Sequence, residues 1–98
     1  MIDIKVSDPN IFFDGDVSNR DLLIDGQTVA SFGFMARGTY KWQAEQGERF
    51  TISSGNLSIS IDDNPRFEIN ENESFDVPAG SIFELWVKSP VHYEVRYF

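Results

Sequence analysis

The chain contains no cysteine. Disulfide staples and thiolate metal sites are therefore excluded, and the composition suits a reducing compartment. Histidine is almost absent as well. His92 is the only one, so neither a Ser-His-acid triad nor a histidine-rich metal site has much to be built from. Positive charge is scarce: eight Lys and Arg stand against sixteen Asp and Glu, for a formal net charge of −8. Such a chain has no basic field with which to displace counterions from nucleic acid or to hold an anionic membrane surface. No apolar run approaches membrane-spanning length. The opening residues MIDIKVSDPN lack the basic start and apolar run of a signal peptide. There is no Gly-rich phosphate loop, dinucleotide fingerprint or Gly-x-Ser-x-Gly elbow. The expectation is a cytoplasmic protein with neither nucleic acid nor membrane as partner.

Long helical periodicity is also missing, because apolar residues nowhere recur at intervals of three and four over a dozen residues. What the chain has instead is short alternation punctuated by turn residues. At 98 residues it is read as a single domain, and a hydrophobic content of 41% is enough for one modest core. Ile2, Ile4 and Val6 alternate with charge ahead of Ser7-Asp8-Pro9-Asn10, and residues 1–10 read as a strand or an N-terminal arm. Asp16 to Arg20 is polar, with only Val17 to bury. Leu22-Leu23-Ile24 runs into Asp25-Gly26, a tight-hairpin signal. The run VASFGFMA, residues 29–36, is apolar on both faces and reads as a covered central strand, with Gly33 marking a bulge or the close approach of another backbone. Further strands are expected around Phe50, Leu57 to Ile61, Phe67 to Ile69, Phe75 to Val77, Phe83 to Val87 and Val91 to Tyr97. Turns are expected at Ser54-Gly55-Asn56 and at Ser89-Pro90. Many short strands with turn signals every eight to twelve residues read as an all-β sandwich or small barrel.

The stretch from Gly38 to Gly55, GTYKWQAEQGERFTISSG, carries the residues with chemistry. Glu48 shares a strand face with Phe50 and Ile52, at the strand's first inward position. It reads either as a solvated rim carboxylate, paired with Arg49 or another Arg, or as a group that hydrogen-bonds sugar hydroxyls and stabilises developing positive charge. Tyr40 and Trp42 share a face and read as core or rim packing, or as a platform for a flat heterocycle. Phe83 reads as core, and Ser81 as a turn residue on the same side. The stretch, followed by Pro78-Ala79-Gly80, resembles the two segments that define the cupin superfamily, whose metal-binding members carry His and Glu ligands there. Glu48 matches the carboxylate position, whereas Trp42, Ala44 and Phe83 stand where histidines would be expected. One carboxylate cannot hold a transition metal, so no metal site is expected.

From Phe13 to the terminus the chain is similar to the pyrimidine/purine nucleoside phosphorylases, small single-domain cupins. The markers are Phe13-x-Gly15-x-Val17, Met35-x-x-Gly38-x-Tyr40, Glu48-x-x-Thr51, Ser54-Gly55-x-Leu57, Phe75-x-Val77-Pro78, Ser81-x-Phe83 and Tyr93-x-x-Arg96-Tyr97. The chain departs from the family pattern at Gln43-Ala44 and at Phe50, both beside Glu48. The resemblance implies an antiparallel jelly-roll barrel of the cupin type. It also implies phosphorolysis of purine and pyrimidine nucleosides to free base and ribose 1-phosphate, with no metal or organic cofactor, phosphate as co-substrate, and a homodimer. On that reading Glu48 is the catalytic residue, contacting ribose or stabilising an oxocarbenium-like transition state. Tyr40, Trp42 and Phe83 form an aromatic wall for the substrate, and Ser81 donates a hydrogen bond to it. The alternatives are a non-enzymatic module that binds a sugar or nucleoside, and a structural dimerisation domain using Phe32, Phe34 and Trp86.

Overall fold

A computed structural model describes residues 1–98. It is built of nine antiparallel strands and a single turn of 3-10 helix. The strands are β1 Ile4–Val6, β2 Asn10–Phe12, β3 Val17–Ile24, β4 Gln27–Met35, β5 Gly38–Gln43, β6 Glu48–Ile61, β7 Phe67–Ile69, β8 Ser74–Val77 and β9 Ile82–Tyr97. The absence of helical periodicity and the all-β cupin expectation agree with this architecture.

β6 and β9 form the frame. They pair from Glu48↔Tyr97 to Ile61↔Phe83, nearly end to end. β4 and β5 join opposite halves of β9, and β8 and β7 join opposite halves of β6. β3 pairs with β4, and β1 and β2 pair in succession along β3. Ser54-Gly55-Asn56 and Ser89-Pro90 do not end strands as expected. Both lie inside continuous strands, opposite one another, where the ladder shifts register between Ile52 and Leu57. Gly55 has φ +85°, and a Cβ there would fall 2.2 Å from the Pro90 carbonyl oxygen. Glycine and proline thus bend the two-stranded ribbon instead of reversing the chain.

The bend closes the fold. Phe50 sits near one end of the ladder and Phe83 pairs with Ile61 at the other. A straight ladder would hold them about 35 Å apart at roughly 3.3 Å per residue. Their rings are 5.8 Å apart at 63°, so the two halves of the ribbon face each other. Between them lies one cluster of 17 buried residues, to which β9 contributes Phe83, Leu85, Val87, Val91, Tyr93 and Val95. Every second residue of this strand points inward, as the period of the pleat requires.

Asp16 to Arg20 is polar with Val17 its one buried residue, 1% exposed, as read from the sequence, and Val17 opens β3. The inward positions that follow are Asn19 and Asp21, so the apolar alternation by which a strand is recognised is absent there. The covered central strand over residues 29–36 is β4, but its outer face is open, with Val29 and Phe32 each 43% exposed. The Asp25-Gly26 turn is a hairpin with both residues at positive φ, +51° and +82°, the geometry that Asp-Gly favours. β1 is exposed throughout and adds an edge strand at the far end of β3.

Gly33 is the close approach its position in β4 suggested. A Cβ there would lie 2.0 Å from the Ser18 carbonyl oxygen and 2.7 Å from Asn19 Cα. Both obstacles are backbone atoms of a central ladder. Gly33→Ala is expected to destabilise the protein by about 2 kcal/mol, the middle of the range of overpacking effects, read as a fall in the urea midpoint. An unchanged midpoint would show that β3 and β4 can separate without loss.

Candidate functional site

The interior is not filled to the end. Between β2, β3, the first half of β6 and the last residues of β9 lies an open cavity of about 670 Å³, a size usual for small-molecule sites. One wall is aromatic, formed by Phe12, Phe13 and Trp42. Phe13 reaches it through strained backbone: Phe13 and Asp14 have φ of +51° and +55°, in a turn closed by the Asp16 N–H donating to the Phe13 carbonyl at 3.1 Å. Left-handed conformations are unfavourable for residues with a Cβ. The distortion sets the Phe13 ring 5.0 Å from Tyr40 and 5.6 Å from Trp42.

The opposite wall is a hydrogen-bonded polar array. Asn10 Nδ2 donates to Asn19 Oδ1 at 2.9 Å, and Asn19 Nδ2 donates to the Tyr93 hydroxyl at 3.3 Å. Ser31 Oγ donates to Asp21 Oδ1 at 2.6 Å and lies 2.7 Å from the Tyr97 hydroxyl. All of these except Ser31 line the cavity. Such a row of donors and acceptors, anchored on four strands, suits the hydroxyls of a sugar.

Glu48 begins β6 at the mouth of the cavity, opposite Val77 on one side and Tyr97 on the other. It is half-buried and takes part in none of the protein's ion pairs. Arg49, a partner that sequence alone left open, is bound instead to Asp76 through two hydrogen bonds of 2.7 and 3.0 Å. Burial, and then the charge of Glu45, raise the Glu48 carboxyl from the ordinary 4.5 to about 6. Burial pushes Tyr93 up to about 12 and raises Tyr97, and the charge of Glu48 adds to both.

Of the residues singled out by sequence, Glu48 and Trp42 line the cavity. Tyr40, Ser81 and Phe83 stand behind its wall. Tyr40 is buried, and its hydroxyl donates to the Ala36 carbonyl at 2.6 Å. Phe83 is fully buried, edge-on to Trp42 at 4.8 Å, and fixes the indole from behind. Ser81 holds the loop before Glu48: its carbonyl accepts the Ala44 N–H at 2.9 Å, while the Ala44 carbonyl accepts the Gly80 N–H at 2.7 Å. Both departures from the family pattern have places here. Gln43 and Phe50 line the cavity, and Ala44 is buried in the turn beside it. Of the polar array, Tyr93 and Tyr97 stand among the family markers, whereas Asn10, Asn19 and Asp21 carry no such mark, and their one sequence signal is polar residues at the inward parity of a strand. No group of three or more His, Asp or Glu side chains is gathered as metal ligands would be.

A family model for pyrimidine/purine nucleoside phosphorylase matches residues 7–97. The chain belongs to that family. A pyrimidine/purine nucleoside phosphorylase from Geotalea uraniireducens is 33% identical over 89 residues, 90% of this chain and 86% of the relative. Among solved structures, a protein of unknown function from Vibrio parahaemolyticus superposes with a TM-score of 0.84 at 32% identity, covering 98% of this chain and 99% of its own. A putative ethanolamine utilization protein from Salmonella typhimurium has a TM-score of 0.74 at 16% identity, covering 100% and 97%. That likeness carries the cupin-type fold alone.

The raised Glu48 has a consequence for stability. Its folded carboxyl keeps a proton up to about pH 6, whereas the unfolded one releases it near 4.5. Between these values the folded state binds more protons, so stability falls as pH rises through the window. Glutamine escapes that loss. Glu48→Gln is therefore expected to raise the thermal midpoint at about pH 8 and to leave it unchanged at about pH 4. A midpoint lowered at about pH 8 would mean that the carboxylate stabilises the fold.

Proposed function

We propose that the cavity binds a purine or pyrimidine nucleoside and that the protein transfers its pentosyl group to phosphate, releasing the base and ribose 1-phosphate. The observation that carries this reading is a half-buried carboxylate outside any ion pair, Glu48, in an aromatic-lined cavity of a chain that belongs to the nucleoside phosphorylase family. The base stacks against Trp42 and Phe13, held by Phe83 and Tyr40 from behind. Ribose hydroxyls bind the array of Asn19, Asp21 and the two tyrosines. As the glycosidic bond breaks, positive charge develops on the ribose, and the ionised Glu48 stabilises it. A carboxylate held short of water and beside another negative charge does this better than a solvated one, because less of its field is screened. Ser81 acts through the loop that positions Glu48. Assembly as a homodimer through the open outer face around Phe32 belongs to the same proposal, and light scattering at micromolar concentration reads it directly.

Incubation with uridine or adenosine and phosphate, with ribose 1-phosphate quantified as product, tests the reading. Glu48→Gln is expected to lower kcat by about a hundredfold, the scale of losing one electrostatic stabiliser. Trp42→Ala is expected to raise KM by about tenfold through lost stacking. Because the ionised carboxylate is the active form, the rate should rise with pH through about 6 and then level. A flat profile, or full activity in Glu48→Gln, would remove Glu48 from the mechanism.

A further inference from the structure

The charged residues that line the cavity are Asp21, Glu45 and Glu48. None of the eight Lys and Arg lines it. Most of those cations are engaged elsewhere. Arg49 is bound to Asp76, Arg96 to Glu94 and Lys5 to Asp3. Arg66 lies over the Trp86 ring at 4.4 Å, and Arg20 donates to the Ser7 carbonyl at 2.8 Å. His92 faces outward against the ring of Phe34, at 5.4 Å. The only helical segment is three residues long and supplies no set of aligned N–H groups. A dianionic phosphate entering this cavity meets carboxylates and neutral amide and hydroxyl donors, with no cation to offset the repulsion. Water meets no such barrier and has in Glu48 a carboxylate able to take its proton.

We propose that the cavity uses water as well as phosphate as the pentosyl acceptor, so that the protein also hydrolyses nucleosides. The inference rests on the reading that the cavity binds a nucleoside and goes beyond it in naming the nucleophile. The oxygen of water forms the new bond to C1′ while the C1′–N bond breaks, its electron pair leaving on the base. The proton released by the water passes to the Glu48 carboxylate and from there to the base nitrogen. The products are free ribose and free base, and Glu48 returns ionised. The neutral side chains at the mouth, Gln43 and Gln46, hold the water by hydrogen bonds and carry no charge with which to favour phosphate over it.

The test follows base release from uridine and adenosine in phosphate-free buffer and in phosphate, with ribose and ribose 1-phosphate measured separately. Base should appear without phosphate at no less than about a tenth of the rate with it, a barrier difference of one decade or less, and an equal amount of free ribose should appear with it. Base that appears only with phosphate, with ribose 1-phosphate as the only sugar product, overturns the inference while leaving phosphorolysis standing. Free ribose as the sole sugar product at every phosphate concentration overturns phosphorolysis and leaves hydrolysis standing. No base under either condition overturns both. Glu45→Lys supplies the missing cation at an exposed position of the cavity mouth. It should raise the ratio of ribose 1-phosphate to ribose by about tenfold at fixed phosphate. A merely structural role for Glu45 would change both products together and leave that ratio where it was, against the inference.

Discussion

β6 and β9 are hydrogen-bonded to one another along almost their full lengths, and every other strand hangs on that pair directly or through a neighbour. Nothing else in a chain this short would bring Phe50 and Phe83 into contact. The constraint is local in origin. Gly55 adopts a positive φ at a point where any Cβ would strike the Pro90 carbonyl, and Pro90 itself donates no ladder hydrogen bond. Because both irregularities fall at the same height, the ribbon folds over as a unit and keeps its pairing on either side. The apolar faces of the two halves then meet, and a two-layer core follows from one bend.

The same fold leaves room for a cavity because its end is lined by side chains that do not collapse on each other. On β3 the inward residues are Asn19 and Asp21, and on β9 two of the last three inward residues are tyrosines, Tyr93 and Tyr97, with Val95 between them. Their polar atoms are satisfied by one another, and no buried side-chain nitrogen or oxygen is left without a partner. A satisfied array is rigid, and it holds its donors and acceptors at fixed positions. Glu48 is the exception in kind: a carboxyl kept partly from water beside Glu45, without a cation. Its raised affinity for protons follows from that burial and from the charge of Glu45.

Most of the architecture was legible in the sequence, for reasons that the exceptions make plain. Leu57 to Ile61 and Phe83 to Val87 announce themselves by alternation because one face of each is core. The Asp25-Gly26 hairpin is legible because its backbone conformation demands those residues. β3 was missed at its start because the rule equates inward with apolar, and there inward is polar. Ser54-Gly55-Asn56 and Ser89-Pro90 read as turns because a bend within a ribbon uses the same residues as a reversal. The difference lies in the pairing of distant segments, which no local window contains. Glu48 and Trp42 were visible through parity and family resemblance. Tyr40 and Phe83 face inward as their parity indicates, and with Ser81 in the preceding turn they stand one layer behind the cavity wall, since parity tells direction and not depth.

The frame of the fold also has a history within synthesis. β9 is made last of the strands, yet it lies between β4 and β6 in the sheet and carries six of the core residues. Until it leaves the ribosome, β4 and β5 have no partner on that side, and β6 exposes the edge to which β9 will bind. The domain therefore cannot assemble progressively from its N-terminus. It must collapse after nearly all of it has been translated, through pairings between residues far apart in the chain, a route that is slow for its size. During that interval the unpaired edges of β4 and β6 are open to other chains. The high negative charge of the chain is then also what keeps nascent copies apart.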